Sequence, residues 1–303
     1  MPAPSRKNTA LRCILLAAIS MPVGGACSDA TSPDHMPAAA SPAFIFVSDS
    51  SGNDQLYRFR NDSIVRLTFS DMTDRDPHVA ADRLVFTSYR DGDPEIYVSD
   101  LEGVAPRRLT ESVGLDEHPV LGPGGGTIAF VSNRGGTPRL WTMRADGTNP
   151  SPLATGATEY VPERSPAWSP AGDQLAFTST RTGTSQVYIV PSTGGSAQQL
   201  TSESGGAFDP QWSADGGNVY FVASGGVTEV RMVNIATLEV APYASSAAGL
   251  GEPACYDHGC LAVNRAYGDN GDIVFYSGAG TQARILVNRA SNDRSPAVLG
   301  IRN

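Results

Sequence analysis

Apolar and polar positions alternate along most of the chain, in short runs separated by turns that contain Gly or Asp. Residues 84–88 (LVFTS), 95–98 (EIYV), 175–179 (LAFTS) and 186–189 (QVYI) are examples. Alternation with a period of two residues predicts β-strands, and no stretch has the 3.6-residue period of an amphipathic helix. The pattern therefore predicts an all-β fold.

This strand pattern recurs at a nearly constant interval. Each repeat opens on a proline, and the lead prolines are Pro77, Pro119, Pro166, Pro210, Pro253 and Pro296. Their successive spacings are 42, 47, 44, 43 and 43 residues. A period in this range, with four short strands in each unit, predicts the blades of a β-propeller.

The two ends of the repeat region complement each other. Residues 44–48, 55–57 and 66–68 match the second, third and fourth strands of a blade, with no first strand ahead of them. Residues 293–299 match the missing first strand. We therefore expect a six-bladed β-propeller in which the C-terminal strand completes the first blade, closing the ring and removing free sheet edges.

The N-terminal residues are typical of an export signal. Basic residues at positions 6, 7 and 12 precede an apolar stretch, and the small residues 24–26 precede Cys27. We interpret residues 1–26 as a signal peptide. Cys27 resembles the lipidated cysteine of a bacterial lipobox, although Gly24 stands where that pattern prefers Leu or Val.

The region between this signal and the repeats is rich in Ala, Pro, Ser and Asp. Such a composition predicts a flexible tether, which we assign to residues 27–42, with the propeller spanning residues 43–303.

Charge narrows the range of ligands. The formal net charge is −9, and it becomes −12 without residues 1–26, which carry three basic residues and no acidic ones. An acidic protein is a poor match for nucleic acid or an anionic lipid surface. We expect neither as a ligand, and expect membrane contact only through a lipid anchor.

Two cysteines remain beyond the leader and tether. Four residues lie between Cys255 and Cys260, and in an exported chain a disulfide is their expected fate. A metal-binding or redox pair is the alternative.

The repeat itself resembles a known family. Residues 165–179 (SPAWSPAGDQLAFTS), followed by VYIV at 187–190 and LT at 200–201, resemble the TolB-like propeller repeat. The resemblance covers residues 43 to about 300. It implies that the bulky residues two positions after the lead prolines pack between blades, namely Val79, Leu121, Trp168, Trp212, Cys255 and Val298.

The resemblance defines the blades more closely than the function. Such blades occur in Tol-Pal components, in surface lipoproteins and as accessory domains of peptidases. TolB itself has an α/β domain ahead of its propeller, where this chain has only about 15 residues after the signal. We therefore expect a TolB-like protein other than TolB proper.

Charged residues just ahead of the lead prolines form the candidate site. Equivalent positions in a ring converge on one end of the central channel, so we expect a charged channel mouth. The acidic candidates are Asp74, Asp76, Asp116, Glu117, Glu163, Asp209, Glu252 and Asp293, and the basic ones are Arg75, Arg164 and Arg294. This rim is expected to bind a basic segment of a partner protein or a cation such as Ca²⁺. An internally paired ring of Arg and acidic residues is the structural alternative.

No catalytic motif is recognisable in the sequence. The chain lacks a G-x-S-x-G turn, and His78 and His118, which flank lead prolines of adjacent blades, have no evident third metal ligand. We expect no resident cofactor and a monomeric, non-enzymatic protein of the periplasm or outer membrane that scaffolds an envelope protein. A carbohydrate-active enzyme, a polysaccharide lyase or glycosidase working at the channel mouth, is the alternative.

Overall fold

The computed structural model describes residues 42–158, 160–246, 249–256, 259–264, 271–277 and 282–299. The predicted signal peptide, Cys27 and the tether up to residue 41 lie outside the described residues. The described part is all-β, and no helix within it is long and apolar enough to cross a membrane.

In the part of the chain that the structure describes, twenty-four strands form six four-stranded antiparallel sheets. In chain order the first twelve are β1 (Phe44–Ser48), β2 (Gln55–Arg60), β3 (Ser63–Arg66), β4 (Asp74–Ala80), β5 (Arg83–Ser88), β6 (Glu95–Ser99), β7 (Arg107–Arg108), β8 (Asp116–Leu121), β9 (Thr127–Ser132), β10 (Arg139–Arg144), β11 (Ser151–Pro152) and β12 (Glu163–Trp168). The remaining twelve are β13 (Gln174–Thr182), β14 (Thr184–Pro191), β15 (Gln198–Gln199), β16 (Ala207–Trp212), β17 (Asn218–Ala223), β18 (Glu229–Asn234), β19 (Val240–Ala244), β20 (Leu250–Tyr256), β21 (Gly259–Asn264), β22 (Asp272–Ser277), β23 (Gln282–Val287) and β24 (Asp293–Val298).

Each sheet is one blade of a closed ring. The innermost strands of blades 1 to 6 are β24, β4, β8, β12, β16 and β20, and each contacts the innermost strand of the next blade. The prediction of a six-bladed propeller is therefore confirmed.

The first blade is built from both ends of the chain. Strand β24 pairs antiparallel with β1, with Phe44 opposite Val298 and Ser48 opposite Asp293. The sheet order β24-β1-β2-β3 confirms that the C-terminal strand supplies what the N-terminal blade lacks.

The core lies between neighbouring blades. Five second strands contribute a fully buried phenylalanine at the same level, namely Phe46, Phe86, Phe130, Phe177 and Phe221. The indole nitrogens of Trp168 and Trp212 donate hydrogen bonds to the carbonyl oxygens of Val120 and Ala167 in the preceding blade, both at 3.1 Å. These two side chains therefore join blades, as the repeat motif implied.

Candidate binding site at the channel mouth

Every innermost strand has a β-bulge at its lead proline. In β4, for example, Asp76 and Pro77 together lie opposite the single residue Phe86 of β5. The ladders of the other five innermost strands shift at the equivalent place. A bulge of this kind bends the strand and changes the direction of the side chain at the bulge.

The residue before each lead proline has an unusual backbone conformation. Its φ lies between 48° and 53° in all six blades, in the left-handed region that residues other than glycine seldom adopt. All six side chains line a cavity of about 460 Å³ at the end of the channel where the innermost strands begin. We call this end the charged mouth, and its pre-proline residues are Asp76, His118, Ser165, Asp209, Glu252 and Ser295.

These six side chains interact in pairs around the ring. Imidazole Nδ1 of His118 lies 3.6 Å from a carboxylate oxygen of Asp76. The Ser165 hydroxyl donates to Asp209 at 3.2 Å, and the Ser295 hydroxyl donates to Glu252 at 3.0 Å. The carboxylates of Asp76, Asp209 and Glu252 are thus each positioned by a side chain of a neighbouring blade.

A second group of side chains lies two positions before each lead proline. Glu117 is bound from both sides, by Arg75 at 3.2 Å and by Arg164 at 3.0 Å, so one carboxylate connects blades 2, 3 and 4. Arg294 pairs instead with Asp54 of its own blade. In blades 5 and 6 the same position holds Phe208 and Gly251, so the charged part of this group covers blades 1 to 4.

The structure divides the eight predicted carboxylates into two sets. Four of them do not line the mouth, because their side chains are fully buried in ion pairs with arginines. The pairs are Asp74 with Arg90, Asp116 with Arg134, Glu163 with Arg139 and Arg181, and Asp293 with Arg289. These four carboxylates are therefore paired internally with arginines, which is the structural alternative to a ligand-binding rim.

These buried pairs share one architecture, which we call the arginine clasp. In blade 4, Arg181 lies over the rings of Phe177 and Tyr188, 5.3 and 4.5 Å from their centroids, and donates to Glu163 at 2.9 Å and to Ser179 at 3.2 Å. Blades 2 and 3 have the same arrangement around Arg90 and Arg134. A guanidinium stacked on aromatic rings and bonded to a carboxylate ties the innermost strand to the next two strands.

The first blade forms its clasp from a different part of the chain. Position 50, which is equivalent to positions 90, 134 and 181, is a serine. Arg289, ahead of β24, takes its place over Phe46 and Tyr57 and pairs with Asp293. The clasp therefore joins the C-terminal strand to the first blade.

The two histidines that flank lead prolines of adjacent blades have separate partners. His78 lies in the channel wall, where its Nδ1 accepts a hydrogen bond from the backbone N–H of Leu121 at 3.1 Å. His118 contacts carboxylates instead. Within the described ranges, no group of three or more His, Cys, Asp or Glu side chains is arranged to hold a metal ion.

Burial gives His78 a pH-dependent effect on stability. Desolvation lowers its pKa from 6.5 to about 4, so between these values the unfolded chain binds a proton that the native protein does not. The stability from this residue is present above pH 6.5 and is lost as pH falls towards 4. Between pH 7 and pH 4.5, we expect the free energy of unfolding to fall in both the wild type and His78→Gln. The decrease should be smaller in His78→Gln by about 2 kcal/mol.

Urea unfolding at the two pH values measures this difference, and the side-chain carbonyl of glutamine retains an acceptor for Leu121. Equal pH dependence in the two proteins would show that His78 does not resist protonation.

The contacts at the mouth do not form a hydrolytic triad. The Ser165 hydroxyl donates to Asp209, and His118 Nε2 lies 3.9 Å from Glu117, so neither is engaged in activating the other. The mouth presents fixed charges and hydroxyls that contact each other in pairs.

Cys255 and Cys260 lie directly opposite each other on β20 and β21, and their sulfurs are bonded at 2.02 Å. Cys255 lines the channel, where the other blades carry the bulky motif residue.

Two patterns in the sequence indicate further residues of the mouth and of the clasps. His118, Ser165 and Ser295 each precede a lead proline, as Asp76, Asp209 and Glu252 do, although a pattern of acidic and basic residues does not single them out. The clasp arginines are recognisable from the repeated Ser-x-Arg at 88–90, 132–134 and 179–181. Arg289 gives no such signal.

Six blades around a channel with a charged mouth define this protein as a β-propeller with a candidate binding site at one end of its axis. A family model for the TolB beta propeller domain matches residues 79–165 and 153–298. The chain belongs to this TolB β-propeller family.

The curated relatives that this chain matches are TolB homologs, and they are longer than this chain. A TolB homolog of Chlorobium chlorochromatii is 34% identical over 150 residues, which is 48% of this chain and 32% of the relative. A TolB homolog of Chlorobaculum tepidum is 28% identical over 127 residues, or 41% of this chain and 27% of the relative. The matched region thus spans about a third or less of these relatives.

A solved structure supports the fold. TolB from Acinetobacter baumannii superposes with a TM-score of 0.71 at 21% identity, covering 85% of this chain and 66% of that one.

Proposed function

We propose that this protein is a non-enzymatic, exported propeller that binds a protein partner of the cell envelope on the face that carries the charged mouth. The observation that carries this proposal is the distribution of exposed apolar side chains, which concentrate around that mouth.

The exposed apolar residues lie in loops that enter the charged face. The connections from the outer strand of one blade to the innermost strand of the next carry Phe69, Met72, Val113 and Tyr160. Phe69, Val113 and Tyr160 are 73%, 93% and 80% exposed. Val227, in a loop of blade 5 on the same face, and Phe208 at the mouth extend the set.

Large apolar side chains exposed around a charged centre suit a protein partner. Apolar and aromatic groups supply most of the binding energy in protein interfaces, while charges select the partner and its orientation. The three carboxylates of the pre-proline residues favour a partner with a basic segment.

Export and anchoring belong to the same proposal. In this proposal the basic and apolar leader supports export, and Cys27 is the residue that would carry a lipid. We propose a monomer in the periplasm or at the outer membrane. The propeller begins beside the opposite end of the channel, where the N–H of Leu299 bonds to the carbonyl of Ala43. Calcium at the mouth stays a prediction.

Site-specific photocross-linking in the native envelope tests this proposal. A photoreactive amino acid at Val113 is expected to capture a single partner protein, and one at Phe69 the same partner. Val104 is the matched control, because it is also exposed, at 61%, but lies in a loop on the opposite face.

The Asp76→Asn variant should weaken capture at position 113, because it removes one of the three pre-proline carboxylates that favour a basic segment. Equal capture at 104 and 113, or no capture at 113, would contradict a docking role for this face.

A further inference from the structure

Blade 6 does not have the residues of an arginine clasp. In each clasp the carboxylate is the first residue of the innermost strand and lies opposite a serine of the second strand. In blade 6 the equivalent pair is Leu250 and Asn264, and Ala262 stands where the clasp has its buried phenylalanine. An arginine clasp therefore does not tie β20 to β21.

Blade 6 also lacks the large side chain of the repeat motif. Cys255 occupies the position of Trp168 and Trp212, whose indoles donate hydrogen bonds to the preceding blades. Blade 5 begins with Ala207 and has no clasp either, but it retains Trp212. In the part of the chain that the structure describes, blade 6 is the blade that has neither device.

The disulfide joins the same two strands at the other end of the blade. Cys255 and Cys260 lie directly opposite each other, next to the pair formed by Tyr256 and Gly259. The clasps are at the charged mouth, whereas Cys255 lines a second cavity, of about 470 Å³, at the opposite end of the channel. The disulfide is therefore the covalent counterpart of a clasp in this blade.

The effect of this bond on the whole fold is small. A disulfide restricts the unfolded chain least when it closes a short loop, and only four residues lie between Cys255 and Cys260. The other blades have clasps or a motif tryptophan and do not depend on it. Loss of the bond should therefore act on local opening of the β20–β21 hairpin more than on global unfolding.

We propose that the disulfide is an oxidation-dependent latch on blade 6. The bond holds β20 against β21, and its reduction allows this hairpin to open while the rest of the ring stays folded. The latch acts beside the closing strand, because β20 contacts β24 and Leu261 packs in one cluster with Phe44 and Phe46 of blade 1. It does not depend on a partner at the charged face, so failure of the cross-linking experiment leaves it intact.

The exposure of the two sulfurs sets the course of the reduction. Cys255 is half-buried and lines the cavity, whereas Cys260 is only 1% exposed. A thiolate of a dithiol attacks the Cys255 sulfur, forms a mixed disulfide and releases Cys260, which takes up a proton. The second thiol of the reagent then releases Cys255. The protein gains two electrons and two protons, and the dithiol becomes a cyclic disulfide.

Hydrogen exchange of the full-length protein, measured by mass spectrometry with and without dithiothreitol, tests the latch. Peptides that cover β20 and β21 should exchange at least about tenfold faster after reduction, because the hairpin opens more often. Peptides that cover β12 and β13, which are held by the clasp of blade 4, should be unchanged. The double variant Cys255→Ala, Cys260→Ala is the matched control: it should exchange like the reduced protein, and dithiothreitol should have no effect on it.

Alkylation of the reduced wild type with iodoacetamide is the second measurement. Cys260 should be alkylated as completely as Cys255, because opening of the hairpin exposes its buried sulfur. The proposal is overturned if Cys260 stays unlabelled while Cys255 reacts, or if exchange in β20 and β21 is the same before and after reduction. It is also overturned if β12 and β13 accelerate as much as β20 and β21, since the bond would then support the whole ring.

Discussion

Replacing Glu163 by alanine is expected to lower the free energy of unfolding by about 3–5 kcal/mol, the usual cost of removing one partner from a buried ion pair. Glu163 is fully buried and receives hydrogen bonds from Arg139, Arg181 and Thr155. Without it, two largely buried guanidinium groups in the clasp of blade 4 have no carboxylate. Urea unfolding at pH 7 measures the loss.

Glu102→Ala is the control for this substitution. Glu102 pairs with Arg58, but its side chain is 61% exposed, so its removal should cost less than about 1 kcal/mol. A loss of similar size in both variants would mean that the clasp carboxylate is no more important than a surface charge.

Removing strand β24 is expected to abolish cooperative folding. A chain that ends at residue 292 leaves β1 as an open edge, although Phe44, Ile45, Phe46 and Val47 are fully buried in the complete ring. The loss also removes Asp293 from the clasp of the first blade. The net stability of a domain of this kind is only about 5–15 kcal/mol. The free-energy cost of losing a core strand is larger than this. Near-ultraviolet circular dichroism and thermal unfolding should show no native transition.

A peptide with the sequence of residues 290–299, added to the truncated chain, should restore part of the native signal by pairing with β1. Arg294→Ala in the full-length chain is the control, because it retains the backbone ladder and should unfold cooperatively. A truncated chain with a native-like transition would show that closure is dispensable for stability.

The repeat spacing was sufficient to predict the architecture. The lead prolines and the period-two pattern defined six blades, and the unmatched strands at the two ends defined the closure. These features are local in sequence and are repeated, so each copy supports the interpretation of the others.

The division of the carboxylates could not be predicted in the same way. Asp74 and Asp76 are two residues apart, so a regular strand would place both side chains on the same side. The bulge at Asp76 and Pro77 breaks this rule, which leaves Asp74 buried against Arg90 and Asp76 in the channel. A bulge depends on pairing with a neighbouring strand, and single-strand periodicity does not contain that information.

Contacts between residues that are far apart in the sequence also could not be predicted from the repeat pattern. Arg289 and Ser48 are 241 residues apart, yet their side chains bond at 3.0 Å in the first blade.

The bulge at each lead proline has an evolutionary consequence. The strand ladder and the proline set the backbone there, while the side chain one position earlier contributes to the mouth and little to the core. Under the proposed function, natural selection can therefore alter ligand specificity at six separate positions while the blades remain the same. The left-handed backbone restricts the choice to residues that tolerate it, and Asp, His, Ser and Glu are the ones used here. A library randomised at these six codons, with β-branched residues left out, would diversify recognition in one ring without redesigning the scaffold.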